Sequence, residues 1–275
     1  KGYNVQLLHT TEKTQALSSA VNHMAVVGTR IYVSDDETLY KSDDGGETFS
    51  TVTEGLTAGY QIKGLAAHGD LLYITANNGS AGEIESLTSG GTSTQKMSAA
   101  VYDKIFSVKG QLIVSIGNAL HAYDGNTTVG SAIVTLPSGQ TFTDATDAGA
   151  VVLVTATDGR IYSLKDISGT LTLKGQTEIP GEQVTCIVQS QGIVFYGTKE
   201  LQTGSKVIGR LYRANLTVAD DLYVLANNQL IKQWDEDSID NSPNALITTR
   251  DSVYTGIKET GSTSFLWRYY LPTAG

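Results

Sequence analysis

The stretch Ser42–Phe49, SDDGGETF, places three acidic side chains, two glycines, two hydroxyl groups and one aromatic ring within eight residues. Carboxylates this close together could serve an active site or hold a metal ion, but the same residue types are also typical of tight turns. Turn chemistry accounts for each position: Asp44 can accept backbone N–H bonds, glycine supplies a positive φ, Thr48 can bond within the loop and Phe49 can pack beneath it. The stretch is therefore predicted to be a structural turn.

A second acidic segment, WDEDSIDNS, offers carboxylate oxygens of the kind that calcium prefers, on Asp235, Asp237 and Asp240. It lacks the glycine and the closing glutamate of an EF-hand loop, so a solvated acidic loop is the favoured interpretation and calcium binding the weaker alternative. The four histidines are isolated, and none has the spacing at which a strand or helix presents two metal ligands. Beyond this weak calcium candidate, no metal site is predicted.

Nucleophile, cofactor and nucleic-acid chemistry find little support in the sequence. Cys186 is the only cysteine and lies in the apolar run VTCIV, where a buried, inert thiol is expected. No glycine-rich loop follows a strand and opens a helix, so no cofactor is predicted. The net charge of −9 argues against a nucleic-acid partner, which would need a basic stripe. No apolar run is long enough to span a membrane, so no membrane insertion is expected.

The elements that must position these residues follow a repeat of about forty residues. Five segments contain an apolar strand, a turn at glycine and a second strand rich in β-branched and aromatic residues: HMAVVGTRIYVS, KGLAAHGDLLYITA, KIFSVKGQLIVSI, TDATDAGAVVLVTA and TCIVQSQGIVFYGT. Their turn glycines, spaced 41, 41, 39 and 43 residues apart, are Gly28, Gly69, Gly110, Gly149 and Gly192. A sixth copy, NALITTRDSVYTGI, has Asp251 at the turn. A third strand follows each pair, and a fourth follows most.

Four antiparallel strands per repeat predict an all-β protein, a β-propeller whose four-stranded blades surround a channel. A single domain over residues 1–275 is expected, with six blades favoured over seven. The fifth unit is irregular, because residues 215–245 contain DLYVLANNQLIKQW, which is predicted to be a hairpin of its own. This region is interpreted as an insertion or a degenerate blade. The N-terminal YNVQLLH is predicted to be a spare strand that completes the sixth blade and closes the ring.

Within this repeat, SDDGGETF lies between the third and fourth strands of the first unit, where it resembles the Asp box, or BNR repeat, of sialidase- and sortilin-like propellers. The pattern Ser-x-Asp-x-Gly-x-Thr-Phe/Trp is matched by Ser42, Asp44, Gly46, Thr48 and Phe49. The resemblance implies that the hairpin lies on the outer rim of the propeller, away from the channel mouth where substrates bind. It therefore implies a structural role for these acids.

Resemblance to sialidases also implies a test for catalysis, since those enzymes use a tyrosine paired with a glutamate, a separate aspartate and three arginines. The nearest match to their Arg-Ile-Pro motif is Arg30-Ile31-Tyr32, which lacks the proline, and no arginine triad can be assigned. A non-catalytic member with no catalytic residues is therefore predicted. The alternative is a glycan-active enzyme, a glycosidase or lyase, with a divergent site at the channel mouth. Its candidate acids are Asp103, Asp144, Asp147 and Asp158.

The favoured hypothesis is a protein- or glycan-binding or structural module of a larger extracellular or virion-type, phage tail-like assembly. Its support is the lack of a recognisable catalytic set and a sequence that is rich in Thr, Ser and Gly and contains few charged residues. The start at Lys1 is expected of a processed chain or an excised domain. Candidate partner-binding residues are Tyr223, Trp234, Asp235 and Asp237, as aromatic anchors with a polar rim. Packing of both rings between blades is an equal alternative. A photosystem-type assembly factor, also similar to Asp-box propellers, is a third hypothesis that the acidic balance disfavours.

Overall fold

The computed structural model describes residues 22–45, 48–52, 55–201, 207–235, 242–248, 252–258 and 264–271. These residues form six antiparallel sheets and no helix, and the chain has the six-bladed β-propeller fold predicted from its repeat. Each sheet is one blade. Five blades have four strands in chain order across the sheet, and the sixth has three described strands. The contacts separate the chain into two compact units, which are described in turn.

The unit that ends at Thr135 contains the first three blades. Its strands are β1 (His23–Val27), β2 (Arg30–Ser34), β3 (Leu39–Ser42), β4 (Ser50–Val52), β5 (Gln61–His68), β6 (Leu71–Asn77), β7 (Gly82–Thr88), β8 (Ser93–Met97), β9 (Tyr102–Val108), β10 (Gln111–Ile116), β11 (Ala119–Tyr123) and β12 (Val129–Thr135). Its core lies between neighbouring blades, because one cluster joins Tyr32 to Leu72 and a second joins Tyr73 to Tyr102.

The unit that begins at Leu136 contains the other three blades. Its strands are β13 (Phe142–Asp147), β14 (Val152–Ala156), β15 (Arg160–Ile167), β16 (Thr170–Glu178), β17 (Gln183–Ser190), β18 (Ile193–Leu201), β19 (Val207–Ala219), β20 (Leu222–Trp234), β21 (Pro243–Thr248), β22 (Ser252–Lys258) and β23 (Ser264–Tyr270). Every residue of β14 is buried, as expected of a strand covered on both faces. Its core cluster joins Leu153 and Ile161 of the fourth blade to Tyr196 and Tyr223 of the fifth.

The turns and blade edges follow from the sequence pattern. All five predicted turn glycines have positive φ, between 58° and 80°, which confirms their assignment. The first strand of five blades contains a β-bulge against the second strand. Hydroxyls at two of these bulges reach the next blade: Thr143 donates to the carbonyl oxygen of Val184 at 2.8 Å, and Thr185 donates to that of Pro243 at 2.5 Å. The bulges therefore help to join successive blades.

The irregular fifth unit differs from its prediction. DLYVLANNQLIKQW does not form a hairpin of its own, because Leu222–Trp234 is a single strand, β20, paired with β19 in the fifth blade. Asn227 has a φ of 56°, the left-handed value expected in a tight turn, but here it lies at a register shift within the ladder. A left-handed asparagine can serve a bulge as readily as a turn, which explains the misassignment. YNVQLLH and Asp251 lie outside the described residues.

Candidate functional site

The fifth blade ends in the longest pair of strands in the described part of the chain, β19 and β20, each of 13 residues. We call this pair the outer hairpin, residues Val207–Trp234. The third strands of the other blades have four to eight residues. Asp220 and Asp221 form its turn with φ values of 51° and 62°, the double left-handed geometry that matches the twist of a hairpin. The hairpin therefore has a well-defined tip with an acidic turn.

Two lysines of the fourth blade hold this tip through one carboxylate. The Nζ atoms of Lys165 and Lys174 each lie 2.7 Å from a different oxygen of Asp221. Hydrogen bonds from Lys165 and then Lys174 lower the pKa of Asp221 to about 2. Lys165 also lies over the ring of Tyr223, 5.3 Å from its centroid. The tip is therefore fixed against the fourth blade by electrostatic contacts.

Backbone packing fixes the hairpin a few residues further on. A β-carbon at Gly175 of β16 would lie 2.2 Å from the carbonyl oxygen of Tyr223, so only glycine permits this close approach. The backbone N–H of Leu225 donates to Oγ1 of Thr177 at 2.7 Å. Tyr223 and Leu225 are both buried in the core cluster of these two blades. The outer hairpin is thus a packed extension of the fifth blade.

The tip also exposes apolar side chains beside an open concavity of about 430 Å³. Leu222 and Val218 are each 56% exposed on either side of the turn, and Leu173 of β16 is 40% exposed. The concavity lies between β16 and the tip, and its lining residues are Leu173, Lys174, Gly175, Gln176, Asp220, Asp221 and Leu222. This surface combines apolar contacts with charged groups at its margin, the composition of a recognition patch.

A second concavity, of about 280 Å³, lies further along the same hairpin. Its lining residues are Ile193, Arg213, Ala214, Asn215, Asn227 and Gln229. Nε of Arg213 donates to Oε1 of Gln229 at 2.7 Å, so a neutral amide orients the guanidinium. The side chains of Arg213, Asn215, Asn227 and Gln229 place one cation and three amides around a small apolar floor.

The base of the outer hairpin contains a polar network that sequence reasoning missed. Oε1 of Glu182 accepts hydrogen bonds from Nη1 of Arg210 at 2.8 Å and from the hydroxyl of Tyr212 at 3.0 Å, while Oε2 accepts from Thr198. Arg210 also pairs with Glu200 at 2.7 Å. Burial raises the pKa of Tyr212 to about 12, so this tyrosine is a protonated donor at neutral pH. The network joins Glu182 to Thr198 of β18 and to Arg210 and Tyr212 of β19, and so acts as a structural clamp.

The predicted aromatic anchors lie inside the protein. Tyr223 and Trp234 are each only 7% exposed, and Trp234 packs against the buried Leu211. Their burial favours the interpretation that both rings pack between elements, since a buried ring cannot serve as an exposed anchor. Asp235 is exposed and accepts a hydrogen bond from Gln233 at 3.2 Å. Asp237 and Asp240 lie outside the described residues, so their partner-binding and calcium roles stay predictions.

In the loop that resembles the Asp box, the carboxylate of Asp44 accepts three hydrogen bonds from Ser42 and Thr48. They come from Oγ of Ser42 at 2.7 Å, from the backbone N–H of Thr48 at 2.9 Å and from Oγ1 of Thr48 at 2.7 Å. Phe49 is partly buried. Gly46 lies outside the described residues, and the family resemblance stays a prediction.

The four acids considered for catalysis each have structural contacts. Asp103 accepts from Asn77 at 3.1 Å, and burial raises its pKa. Asp147 accepts from the backbone N–H of Gly149, a turn contact. Asp158 accepts from Arg160 and Tyr162, and Asp144 accepts from the backbone N–H of Ile187. Within the described residues, no group of three or more His, Cys, Asp or Glu side chains could hold a metal ion.

Cys186 is buried, as predicted, and lies close to the carbonyl oxygen of Pro243. Burial, reinforced by the negative charge of Asp144, raises the pKa of its thiol to about 12. A thiol with this pKa is protonated at neutral pH and is a poor nucleophile.

Among the described residues there is also no helix long and apolar enough to span a membrane.

Comparison with known proteins supports the fold. No protein-family model matches the chain, and no curated protein is significantly similar to it in sequence. The chain is similar to the β-propeller domain of Myceliophteria thermophila Cps50 (Swd1), with a TM-score of 0.61 and 13% identity over 98% of this chain and 90% of that one. It is also similar to PQQ-bound aldose sugar dehydrogenase from Streptomyces coelicolor, with a TM-score of 0.60 and 12% identity over 96% and 97%. A third similar structure is YCF48 bound to D1 peptide, with a TM-score of 0.52 and 12% identity over 99% of each chain. At this identity the comparisons show the fold alone.

Proposed function

We propose that the protein is a non-catalytic binding module that holds a protein partner on the tip of its outer hairpin. The observation that carries the proposal is the exposure of Leu222, 56%, and Leu173, 40%, which line one concavity beside a tip that is held by ion pairs and backbone packing. Burying a valine or leucine side chain is worth about 1.5–3 kcal/mol, so a partner that covers both residues gains affinity. Because the tip is already ordered, little of that gain is lost to ordering it.

The margin of this patch supports a polypeptide partner. Asp220, Lys174 and the amide of Gln176 lie around Leu222 and Leu173, which gives an apolar centre with a hydrogen-bonding rim. Neither concavity of the hairpin has an aromatic lining residue on which a sugar ring could stack. A protein partner is therefore favoured over a glycan.

Fold analogy and composition supply the context of this proposal. YCF48, which has a similar fold, was solved with a bound peptide, and this supports peptide binding by analogy. A sequence that is rich in Thr, Ser and Gly and has few charged residues supports placement of the module in a larger extracellular or virion-type assembly. Purification of the full-length protein from its source would test that placement.

The contact surface can be tested without knowledge of the natural partner. A random peptide library displayed on yeast is selected against the folded chain, and the binders are measured again on Leu222→Asp and on Ile247→Asp. Ile247 of β21 is a matched control because it is 54% exposed in the same unit but lies outside the outer hairpin. We expect Leu222→Asp to weaken the dominant binders at least about tenfold and Ile247→Asp to leave them unchanged. Binders that tolerate Leu222→Asp, or that are lost on Ile247→Asp, would place the recognition surface elsewhere.

A further inference from the structure

The second concavity lies on the face of the outer hairpin that points away from the fourth blade. Along β19, Tyr212 and Ala214 pack into the core shared with that blade, whereas Arg213 and Asn215 alternate with them and face the other way. Arg213 is half-buried, and Asn215 is exposed at the margin. The contacts that hold the outer hairpin against the fourth blade therefore do not involve this concavity.

Arg213 differs from Arg30, Arg160 and Arg210 in its partner. Arg30, Arg160 and Arg210 each pair with a carboxylate, namely Asp43, Asp158 and Glu182 respectively. Arg213 instead donates from Nε to the neutral Gln229, and no carboxylate of the described residues lies within salt-bridge distance of it. The guanidinium is thus oriented without being neutralised, in a chain whose net charge is −9. Its two Nη atoms form the end that can bind a carboxylate through two hydrogen bonds.

A β-bulge sets the remaining polar groups of the wall. The ladder between β19 and β20 shifts register between Arg213 and Asn215, and opposite this shift Asn227 has a φ of 56°. Bulges change the direction of side chains along a strand and are frequent beside binding sites. Here the bulge brings Asn227 into the same lining as Asn215 and Arg213. The site is built on paired strands, which hold such groups more rigidly than a loop does.

We propose that this concavity receives the carboxylate of an aspartate or glutamate side chain of the protein partner. The inference rests on the proposed function and adds a charged specificity contact to the apolar tip. Arg213 supplies the complementary charge through its Nη atoms, and the amides of Asn215 and Asn227 supply further donors. Ile193 contacts the methylene groups of the incoming side chain. A volume of about 280 Å³ is suited to one side chain, and no lining ring is present for a sugar.

The test uses the full chain and small probes, so that it does not depend on the tip. N-acetylglutamic acid amide, which has one side-chain carboxylate, is titrated while the NMR signals of the arginine side chains and asparagine amides are followed. N-acetylglutamine amide is the neutral control, and methyl glucuronide represents an acidic sugar. We expect saturable shifts at Arg213 and Asn227 with the glutamate probe only. Arg213→Gln should abolish them, and Arg213→Lys, which keeps the charge but loses the planar fork, should weaken binding at least about tenfold.

Lys232→Gln is the matched control, because it removes an exposed positive charge from β20, the strand paired with that of Arg213, without changing the lining. It should bind the glutamate probe as the wild type does, and so should Leu222→Asp. A dispersed spectrum of each variant confirms that it is folded. Equal response to the neutral probe, preference for the glucuronide, or unchanged binding by Arg213→Gln would each overturn the proposal. If the proposed function is wrong, the selected peptides will instead keep their affinity for Leu222→Asp. The two proposals can therefore fail independently.

Discussion

The carboxylate of Asp144 in β13 accepts a hydrogen bond at 2.9 Å from the backbone N–H of Ile187 in β17. A side chain of the fourth blade thus satisfies a backbone donor on the edge of the fifth. Thr143 makes the complementary contact by donating to the carbonyl oxygen of Val184. In the other unit, Thr75 and Asn77 donate to backbone carbonyls of the third blade in a similar way. Polar residues along the first two strands of these blades therefore connect each blade to the next.

Replacement of Asp144 tests this connection. Asp144→Ala leaves the N–H of Ile187 without its acceptor, and we expect the free energy of unfolding to fall by about 1–3 kcal/mol. Asp144→Asn keeps an acceptor oxygen and should lose clearly less. Both values are measured by denaturant unfolding monitored by tryptophan fluorescence. Equal stability of the alanine variant and the wild type would show that the contact contributes nothing.

The close approach of Gly175 to Tyr223 predicts a large effect of a single methyl group. Gly175→Ala must displace the backbone of the outer hairpin, and we expect a loss of about 1–3 kcal/mol of unfolding free energy. Gly130→Ala is the control, because the nearest atom to its added carbon lies at an ordinary 3.6 Å. It should be neutral or slightly stabilising. Similar melting curves for the two variants would contradict the packing described for the hairpin.

The ion pairs at the hairpin tip predict a specific acid sensitivity. The pKa of Asp221, about 2, lies below the ordinary aspartate value of about 3.9, so its stabilising effect is fully present above that ordinary value. The effect is lost as the pH falls from about 4 to about 2. Thermal melts of wild type and Asp221→Asn should therefore converge over this range. Asp220→Asn is the control, because it alters the same turn without removing a lysine pair, and its melting temperature should follow that of the wild type. If the melting temperatures of wild type and Asp221→Asn instead differed by a constant amount down to pH 2, the ion pairs would be excluded as the cause of the difference.

The buried thiol predicts chemical inertness. With a pKa of about 12, Cys186 is almost entirely protonated at pH 8, and its side chain is 1% exposed. Iodoacetamide should not modify the folded chain over a time in which the urea-unfolded chain reacts completely, as measured by intact mass. Rapid alkylation of the folded protein would show that the fifth blade opens locally or that the thiol is accessible.

The repeat made most of the fold predictable, because strand, turn and strand recur with turn positions that require positive φ, as at Gly69 and Gly192. The outer hairpin was harder to predict. Asn227 has the residue type and backbone conformation of a turn, and only pairing with β19 shows that it belongs to a bulge. Tyr223 and Trp234 suit a core as well as an interface, and sequence alone does not decide between the two.

The candidate site itself was largely beyond sequence reasoning. The clamp of Glu182 and Tyr212 joins residues 30 positions apart, and the pair of Lys165 and Asp221 joins residues 56 apart. Neither separation leaves a local motif, since both contacts arise only when two strands or two blades pack together. The neutral partner of Arg213 is recognisable only in the structure, where Arg30, Arg160 and Arg210 are each seen to pair with a carboxylate.

The most direct test of the central claim is a footprint of a selected peptide by amide hydrogen exchange. Binding at the outer hairpin should slow exchange at residues 216–226 and at β16, where the tip meets the fourth blade, and leave β21 unchanged. Protection confined to the first strands β13, β17 and β21, with none at the hairpin, would contradict the account and place recognition at the blade edges that Asp144 and Thr143 connect.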